Sequence, residues 1–325
     1  MLIDISIVIV NYRGWKDLER CLFTLESIGN GHFTFEVIIV DNCSNDGRLA
    51  EFIARFPKFS FFVNSGNNGF SNGCNVGAAS SKGTYLLFLN PDIEASEMAI
   101  TGLLEASQLN QDIMILSCKQ LNSNLKEERQ VRFFPSYLTL NGMMRAFYRK
   151  ANQNELSVKF SPENEIVYPD WVSGSVIFIS KANFEILGGW DESFWLYYED
   201  VDLCFRTRLA GGKVALTNKV QMIHNHGGST RVNLQTAALT KAEVIISLHV
   251  FLSKHNSGIR ALGLHFMVIA GGLTSKLIPA LLGIPLFFVK RLNVYSRLYL
   301  LLVTYYFQAV GRRSWLSSRS IKFRI

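Results

Sequence analysis

The sequence predicts an α/β protein with an open, mostly parallel central sheet and flanking helices, followed by a helical, basic C-terminal extension. Three observations predict it. Short β-branched runs alternate with segments of helical period through the first third of the chain. The strand-like runs break off at polar residues, as strands of an open sheet do where their loops carry a site. Positive charge is confined to the end of the chain.

The first run, Ile5-Ser6-Ile7-Val8-Ile9-Val10, suits a buried parallel strand and stops at Asn11-Tyr12. Leu18, Leu22 and Leu25 at helical spacing predict a helix, and Phe35 to Val40 predicts a second strand ending at Asp41-Asn42, which completes a βαβ unit. A helix over 49–56, a strand over 59–64, a glycine-rich turn and a helix over 72–80 follow. The strand Tyr85 to Leu89 then ends at Asn90-Pro91-Asp92. The three polar strand ends are expected to converge on one crevice. Residues 122–170 show weak periodicity and mixed charge and are expected to form a loop-rich excursion over an acceptor site. Order is expected to return at Trp171-Val172-Ser173-Gly174-Ser175, with a strand over 176–179 and a helix over 182–187.

At 325 residues, one large domain with an extension suits the chain as well as two domains do. Hydrophobic residues at 48% against 18% charged exclude a disordered protein and favour membrane contact. From Val244 to Ile325 there are eleven Lys or Arg and no Asp or Glu, whereas the preceding residues hold 22 basic and 26 acidic side chains. The net charge of +7 is therefore a property of the tail. Cys21, Cys43, Cys74, Cys118 and Cys204 lack C-x-x-C spacing and read as reduced thiols. The apolar stretch at 5–10 is too short for a signal peptide, and a cytoplasmic location is expected.

Four segments carry chemistry. Asn90-Pro91-Asp92 presents a carboxylate at a strand end, where a cation bridging two phosphates can bind, although the same tripeptide is an ordinary turn. In Asn67 to Gly77, glycines and asparagines enter a helix, so backbone N–H groups can approach a ribose or diphosphate; a connector capped by Asn72 is the alternative. Tyr197-Tyr198-Glu199-Asp200-Val201-Asp202 places carboxylates among aromatic residues, which raises their pKa and suits a general base. It also suits a helix N-terminus. His224-Asn225-His226 supplies two imidazoles that point in opposite directions, so only one of them is expected to face a metal or phosphate, with a purely structural histidine as the alternative.

In this order, the chain resembles an inverting glycosyltransferase of family two with the Rossmann-like GT-A fold, and within it the bacterial rhamnosyltransferases of cell-surface polysaccharide synthesis such as O-antigen and capsule. The resemblance is carried by Val8-Ile9-Val10-Asn11-Tyr12, Val40-Asp41-Asn42 through Gly47, Asn67-Asn68-Gly69-Phe70, Phe88-Leu89-Asn90-Pro91-Asp92, and Gly188-Gly189-Trp190-Asp191 through Asp202. It implies a catalytic domain over 1–235, with a nucleotide-sugar half to about 120 and an acceptor half to 235, and a C-terminal region over 236–325.

The implied roles follow residue by residue. Asn11, Tyr12, Asp41, Asn42, Asn68, Gly69, Asn72, Asn75 and Asn90 would bind the nucleotide sugar, dTDP- or UDP-linked. Asp92 and His224, with His226 as the weaker choice, would ligate Mg²⁺ or Mn²⁺. Asp200 would be the general base, with Asp202 as its rival, and Trp171, Gly174, Trp190, Asp191 and Glu199 would contact the acceptor. Asn-Pro-Asp departs from the commoner Asp-x-Asp, so Asn90 supplies no second charge. The implied reaction needs one carboxylate, unlike the flanking pair of a glycosidase.

In the tail, Lys276 is expected to divide the apolar run 261–289 into pieces shorter than the roughly 20 residues of a spanning helix. Lys290-Arg291, Arg312-Arg313 and the nearby Tyr and Trp residues suit helices lying on the cytoplasmic face of an inner membrane, consistent with a polyprenyl-diphosphate-linked saccharide acceptor. A short re-entrant hairpin and a buried subdomain or homo-oligomer interface are the alternatives, and nucleic acid is not expected as a partner. A nucleotidyltransferase or dehydrogenase would need a glycine-rich loop where Asn11-Tyr12-Arg13-Gly14-Trp15 stands. A noncatalytic nucleotide-sugar-binding protein would have no use for Asp92, Asp200 and His224 together.

Overall fold

The structure is a computed structural model that describes residues 3–29, 31–128, 131–140, 142–225 and 233–324. β1 (Ile3–Asn11) leads to α1 (Trp15–Glu26), whose Leu18, Leu22 and Leu25 join Ile5, Ile7 and Ile9 in one buried cluster. Then come β2 (Phe35–Asp41), α2 (Leu49–Arg55), β3 (Ser60–Val63), α3 (Phe70–Ala79), β4 (Gly83–Leu89), β5 (Ile93–Glu94), α4 (Glu97–Leu109) and β6 (Ile113–Asn122). The chain continues through α5 (Tyr137–Leu140), α6 (Gly142–Ala151), α7 (Gln153–Lys159), β7 (Ile166–Val167), β8 (Val176–Ser180), α8 (Lys181–Ile186), α9 (Glu199–Leu209) and β9 (Lys213–His224). Four helices end it: α10 (Leu234–His255), α11 (Gly258–Leu282), α12 (Lys290–Arg312) and α13 (Ile321–Arg324).

The sheet runs β3-β2-β1-β4-β8-β6-β9-β5, with β7 beside β9. β3, β2, β1 and β4 are parallel, so the polar ends of β1, β2 and β4 emerge along one edge, with Asn11 directly opposite Asp41. β8 is antiparallel to β4 and β6, which makes the sheet mixed. Val176 pairs with Leu89, so the lead-in to β8 arrives where β4 leaves and lies beside Asn90. This reversal places a second set of loops at the site.

Glycine sets how closely α3 lies on the sheet. A Cβ on Gly77 would stand 2.4 Å from Val8 Cγ1 and 3.4 Å from Val40 Cγ2. Gly77→Ala is therefore expected to lower stability by about 1–3 kcal/mol, read by urea denaturation, and by less in a Val8→Ala background.

The chain forms two units: Met1–Phe134, Asn152–Asp191 and Glu199–Gly228 make the first, and Pro135–Ala151, Glu192–Tyr198 and Ser229–Ile325 make the second. Two inserts thus join the C-terminal unit, which a single division near 235 does not anticipate. The loop-rich excursion expected over 122–170 instead contains α5, α6, α7 and β7. These helices are short and separated by Ser, Asn and Pro, so no window is long enough to display a period.

In the second unit, Ala238, Ala242 and Ile246 of α10 share a core with Leu298, Leu302, Tyr305 and Ala309 of α12. α11 runs unbroken for 25 residues through Lys276, contrary to the expected division. Lysine is a good helix former, and its charge interrupts only the hydropathy, not the backbone. α10 and α11 are both long and apolar enough to cross a membrane; 56% of the apolar window of α10 is buried within the protein, against 11% for α11.

Candidate functional site

At the end of β1, buried Asn11 donates from Nδ2 to Asp41 Oδ1 at 3.2 Å and accepts from the Gly14 N–H at 3.1 Å. The Ser44 N–H donates to Asp41 Oδ2 at 2.9 Å, and the Ser44 hydroxyl donates to Oδ1. These two expected donor-binding residues therefore fix the strand ends and the 41–44 turn. Tyr12 beside them is 37% exposed, with the Arg13 guanidinium 5.3 Å from its ring centroid, and offers a flat face to a base.

The loop before α3 is held by amide side chains. Asn42 Nδ2 donates to Gly69 O at 2.9 Å, and Asn64 Nδ2 donates to Asn42 Oδ1 at 2.9 Å and to Asn72 Oδ1 at 2.7 Å. Asn68 Nδ2 donates to Ser65 Oγ at 3.2 Å. Gly69, at φ 95°, occupies the N-cap, so Asn72 lies inside the first turn rather than capping it. Asn75, expected at the ribose, is tied to the Trp190 backbone: its Nδ2 donates to Trp190 O at 2.9 Å while its Oδ1 accepts from the Trp190 N–H at 3.0 Å. Trp190 is 1% exposed and stands edge-on to Phe70 and Phe88, so it is a core residue and not an acceptor platform.

Around Asn90-Pro91-Asp92, the Asn225 N–H donates to Asp92 O at 2.9 Å and Ile93 pairs with His224, which brings β9 alongside. His224 Nε2 lies 3.4 Å from Asp92 Oδ1, and His224 Nδ1 lies 2.9 Å from Glu128 Oε1. Burial opposes charge on this imidazole, but the two carboxylates outweigh it and raise its pKa to about 9. A carboxylate and an imidazole side by side suit a divalent cation such as Mn²⁺, which accepts both donor types. Among the described residues there is no group of three or more His, Cys, Asp or Glu able to hold a metal. His226 lies outside the described residues.

Asp200 sits in the first turn of α9. Its Oδ2 accepts from the Gly174 N–H at 3.0 Å and its Oδ1 from the Val201 N–H at 2.8 Å. Burial pushes its carboxyl up, against the opposing pull of the Gly174 N–H, the Arg132 charge and the Val201 N–H. Burial and then the charges of Asp200 and Asp202 hold Glu199 well above the usual carboxylate range. Tyr197 and Tyr198, at φ 68° and 65°, carry left-handed backbone just before this helix, a conformation that costs non-glycine residues energy. Gly174 leaves little room: a Cβ there would lie 3.3 Å from Asp200 Cβ.

Asp202 has a different place. Its side chain is fully buried and accepts from Arg206 Nε at 2.7 Å, while the other guanidinium nitrogens donate to Leu187 O and Gly189 O. It is a structural anion one helical turn from Arg206. Arg206→Met is expected to cost about 3–5 kcal/mol in thermal denaturation by stranding Asp202, and Asp202→Asn in the same chain should recover most of that loss.

Glu128 and Arg132 escaped the sequence reading. Arg132 stacks 4.6 Å from the Trp171 ring centroid, and the Trp171 indole N–H donates to Phe133 O at 3.0 Å. Arg132 Nη2 lies 3.7 Å from Glu128 Oε2, an i,i+4 pair of opposite charge that was the one available signal. Asp191, expected at the acceptor, is half-buried beside Trp190 in sequence.

Residues 6–163 match glycosyl transferase family 2. The low-salt glycan biosynthesis hexosyltransferase Agl10 of Haloferax volcanii is 29% identical over 69% of this chain and 68% of its own. The rhamnosyltransferase WbbL of Escherichia coli is 25% identical over 68% of this chain and 83% of its own. The N-acetylglucosaminyl-diphospho-decaprenol L-rhamnosyltransferase of Mycobacterium tuberculosis is 24% identical over 78% of this chain and 85% of its own. Among solved structures, GalNAc-T7 with UDP, GalNAc and Mn²⁺ superposes with a TM-score of 0.54 at 16% identity, over 75% of this chain and 48% of that one. This chain spans about half of that structure's length, and the likeness speaks for the GT-A fold alone. The sheet, the strand-end carboxylates and these matches together identify the chain as a glycosyltransferase carrying a family 2 domain.

Proposed function

We propose that the chain moves a sugar, with inversion, from a nucleoside diphosphate donor to a saccharide carried on a polyprenyl diphosphate, at the cytoplasmic face of an inner membrane. L-Rhamnose from dTDP-rhamnose is the first choice of donor and a UDP-sugar the second. The names of the Escherichia coli and Mycobacterium tuberculosis relatives support rhamnose, and the latter's name supports the polyprenyl-linked acceptor.

One observation carries the assignment of the site. The Asn90 N–H donates to Ser175 O at 3.0 Å, and the Gly174 N–H donates to Asp200 Oδ2 at 3.0 Å. Adjacent residues of one strand lead-in thus tie the donor motif to the carboxylate that acts on the acceptor. Asp200 takes the proton from the attacking hydroxyl, and its buried setting favours that transfer. Asp202, already committed to Arg206, is set aside as the base. Tyr12 stacks on the base, and the amide-braced loop from Asn68 to Asn72 lines the ribose and diphosphate. Trp171 and Glu199 border the acceptor side. Asp92 and His224 would hold the cation, Mn²⁺ or Mg²⁺, with Glu128 at Nδ1 orienting the imidazole so that Nε2 faces Asp92. When bound, the cation stabilises charge on the departing diphosphate.

The test is a thermal-shift screen of nucleotide sugars with Mn²⁺ or Mg²⁺. A matched donor at 100 times its Kd stabilises the native state by about 2.7 kcal/mol. If no nucleotide sugar or nucleoside diphosphate moves the melt, the chain does not use such a donor.

A further inference from the structure

We propose that the turn joining α11 to α12, residues 277–289, dips into the hydrocarbon of an anionic membrane surface. This rests on the membrane-facing part of the function proposed above and specifies the segment that enters the bilayer.

The turn is apolar and uncovered. Ile278, Leu281, Ile284, Phe287 and Phe288 are each more than half exposed, Phe288 by 70%. Scattered exposed apolar residues are ordinary, but a contiguous group at the tip of a helical hairpin marks an interaction surface. The tip is also closed and rigid. Ser296 Oγ donates to Ala280 O at 2.7 Å, and a Cβ on Gly283 would stand 2.4 Å from Leu292 O, so α11 and α12 meet without a gap.

Part of its backbone is hydrogen-bonded from within. The N–H groups of Gly283, Ile284 and Leu286 donate to Pro279, Leu281 and Leu282 carbonyls, and that of Val289 donates to Leu286 O at 2.9 Å. Asn293 Nδ2 donates to Phe287 O at 2.9 Å. Hydrocarbon offers no hydrogen-bond partners, so this internal pairing lowers the cost of a shallow entry at the interface, where headgroups and water reach the remaining backbone groups. From Leu277 to Leu282 the helix advances roughly 8 Å at 1.5 Å per residue, within the ~5–10 Å that interfacial segments reach.

Charge identifies the occupant. Lys276 precedes the apolar stretch, Lys290 and Arg291 follow it, and no Asp or Glu occurs after Glu243. Cations flanking an apolar segment complement anionic headgroups above acyl chains. A second copy of the chain suits it less well, because a two-fold contact through this face would set those cations against their own copies. The tip enters without crossing, since α12 returns to bury Leu298, Leu302 and Tyr305 in the core it shares with α10.

The experiment is flotation of the full chain with phosphatidylcholine vesicles containing or lacking phosphatidylglycerol. The wild type is expected to float with the anionic vesicles. Phe287→Asp with Phe288→Asp should lower the bound fraction at least tenfold, and Lys290→Gln with Arg291→Gln should abolish the preference for phosphatidylglycerol. Both variants should keep the wild-type melting temperature and nucleotide-induced shift, which separates loss of docking from misfolding and from failure of the donor assignment. The proposal is overturned if the wild type floats with neither vesicle, or if the double Asp variant floats like the wild type. It is equally overturned if sedimentation shows a dimer that the double Asp variant dissociates without any vesicle binding.

Discussion

Asp200→Asn is expected to lower kcat about 10²- to 10⁴-fold while leaving the nucleotide-induced thermal shift intact. The amide keeps an oxygen for the Gly174 N–H, so the link to the Asn90 strand end survives while the Val201 N–H loses its partner, but it cannot take a proton from an acceptor hydroxyl. Steady-state turnover and donor titration on the same preparation check both halves. The pH profile adds a sign. A base works only when ionised, and burial raises the Asp200 carboxyl above its ordinary value. The rate should therefore climb with pH through a limb lying above the usual carboxylate range, and that limb should vanish in the Asn variant.

Asp92→Asn is the second large effect. Asn90 already carries an amide where the commoner motif has an acid, so this change removes the motif's remaining charge. Loss of a group that helps stabilise the developing diphosphate charge is expected to lower kcat about 10²- to 10³-fold. Unlike Asp200→Asn, it should also abolish the Mn²⁺-dependent part of the nucleotide-induced thermal shift. Retention of that part in Asp92→Asn would place the cation elsewhere.

The strand ends were legible because their signals are local. Apolar runs stop at Asn11, Asp41 and Asn90, and parallel pairing then brings those ends together without further instruction. What sequence could not supply was the use of each side chain. Asn75 and Trp190 bond across 115 residues, and nothing in the motif distinguishes an amide that braces a loop from one that binds a ligand. Asp202 was readable in part, since Arg206 four residues on is the standard helical partner for an acid. Glu128 gains its meaning only when β9 delivers His224 beside it. The short helices over 137–159 and the continuity of α11 through Lys276 were hidden because periodicity fails over short windows and hydropathy is a poor guide to helix ends.

The most direct test of the account is the anomeric configuration of the product formed by the purified chain from its matched nucleotide sugar and a polyprenyl-diphosphate-linked saccharide, read by NMR. The account predicts a new glycosidic bond of configuration opposite to the donor's, formed by the wild type and lost in Asp200→Asn. A product that retains the donor configuration, or equal turnover by Asp200→Asn, would contradict it.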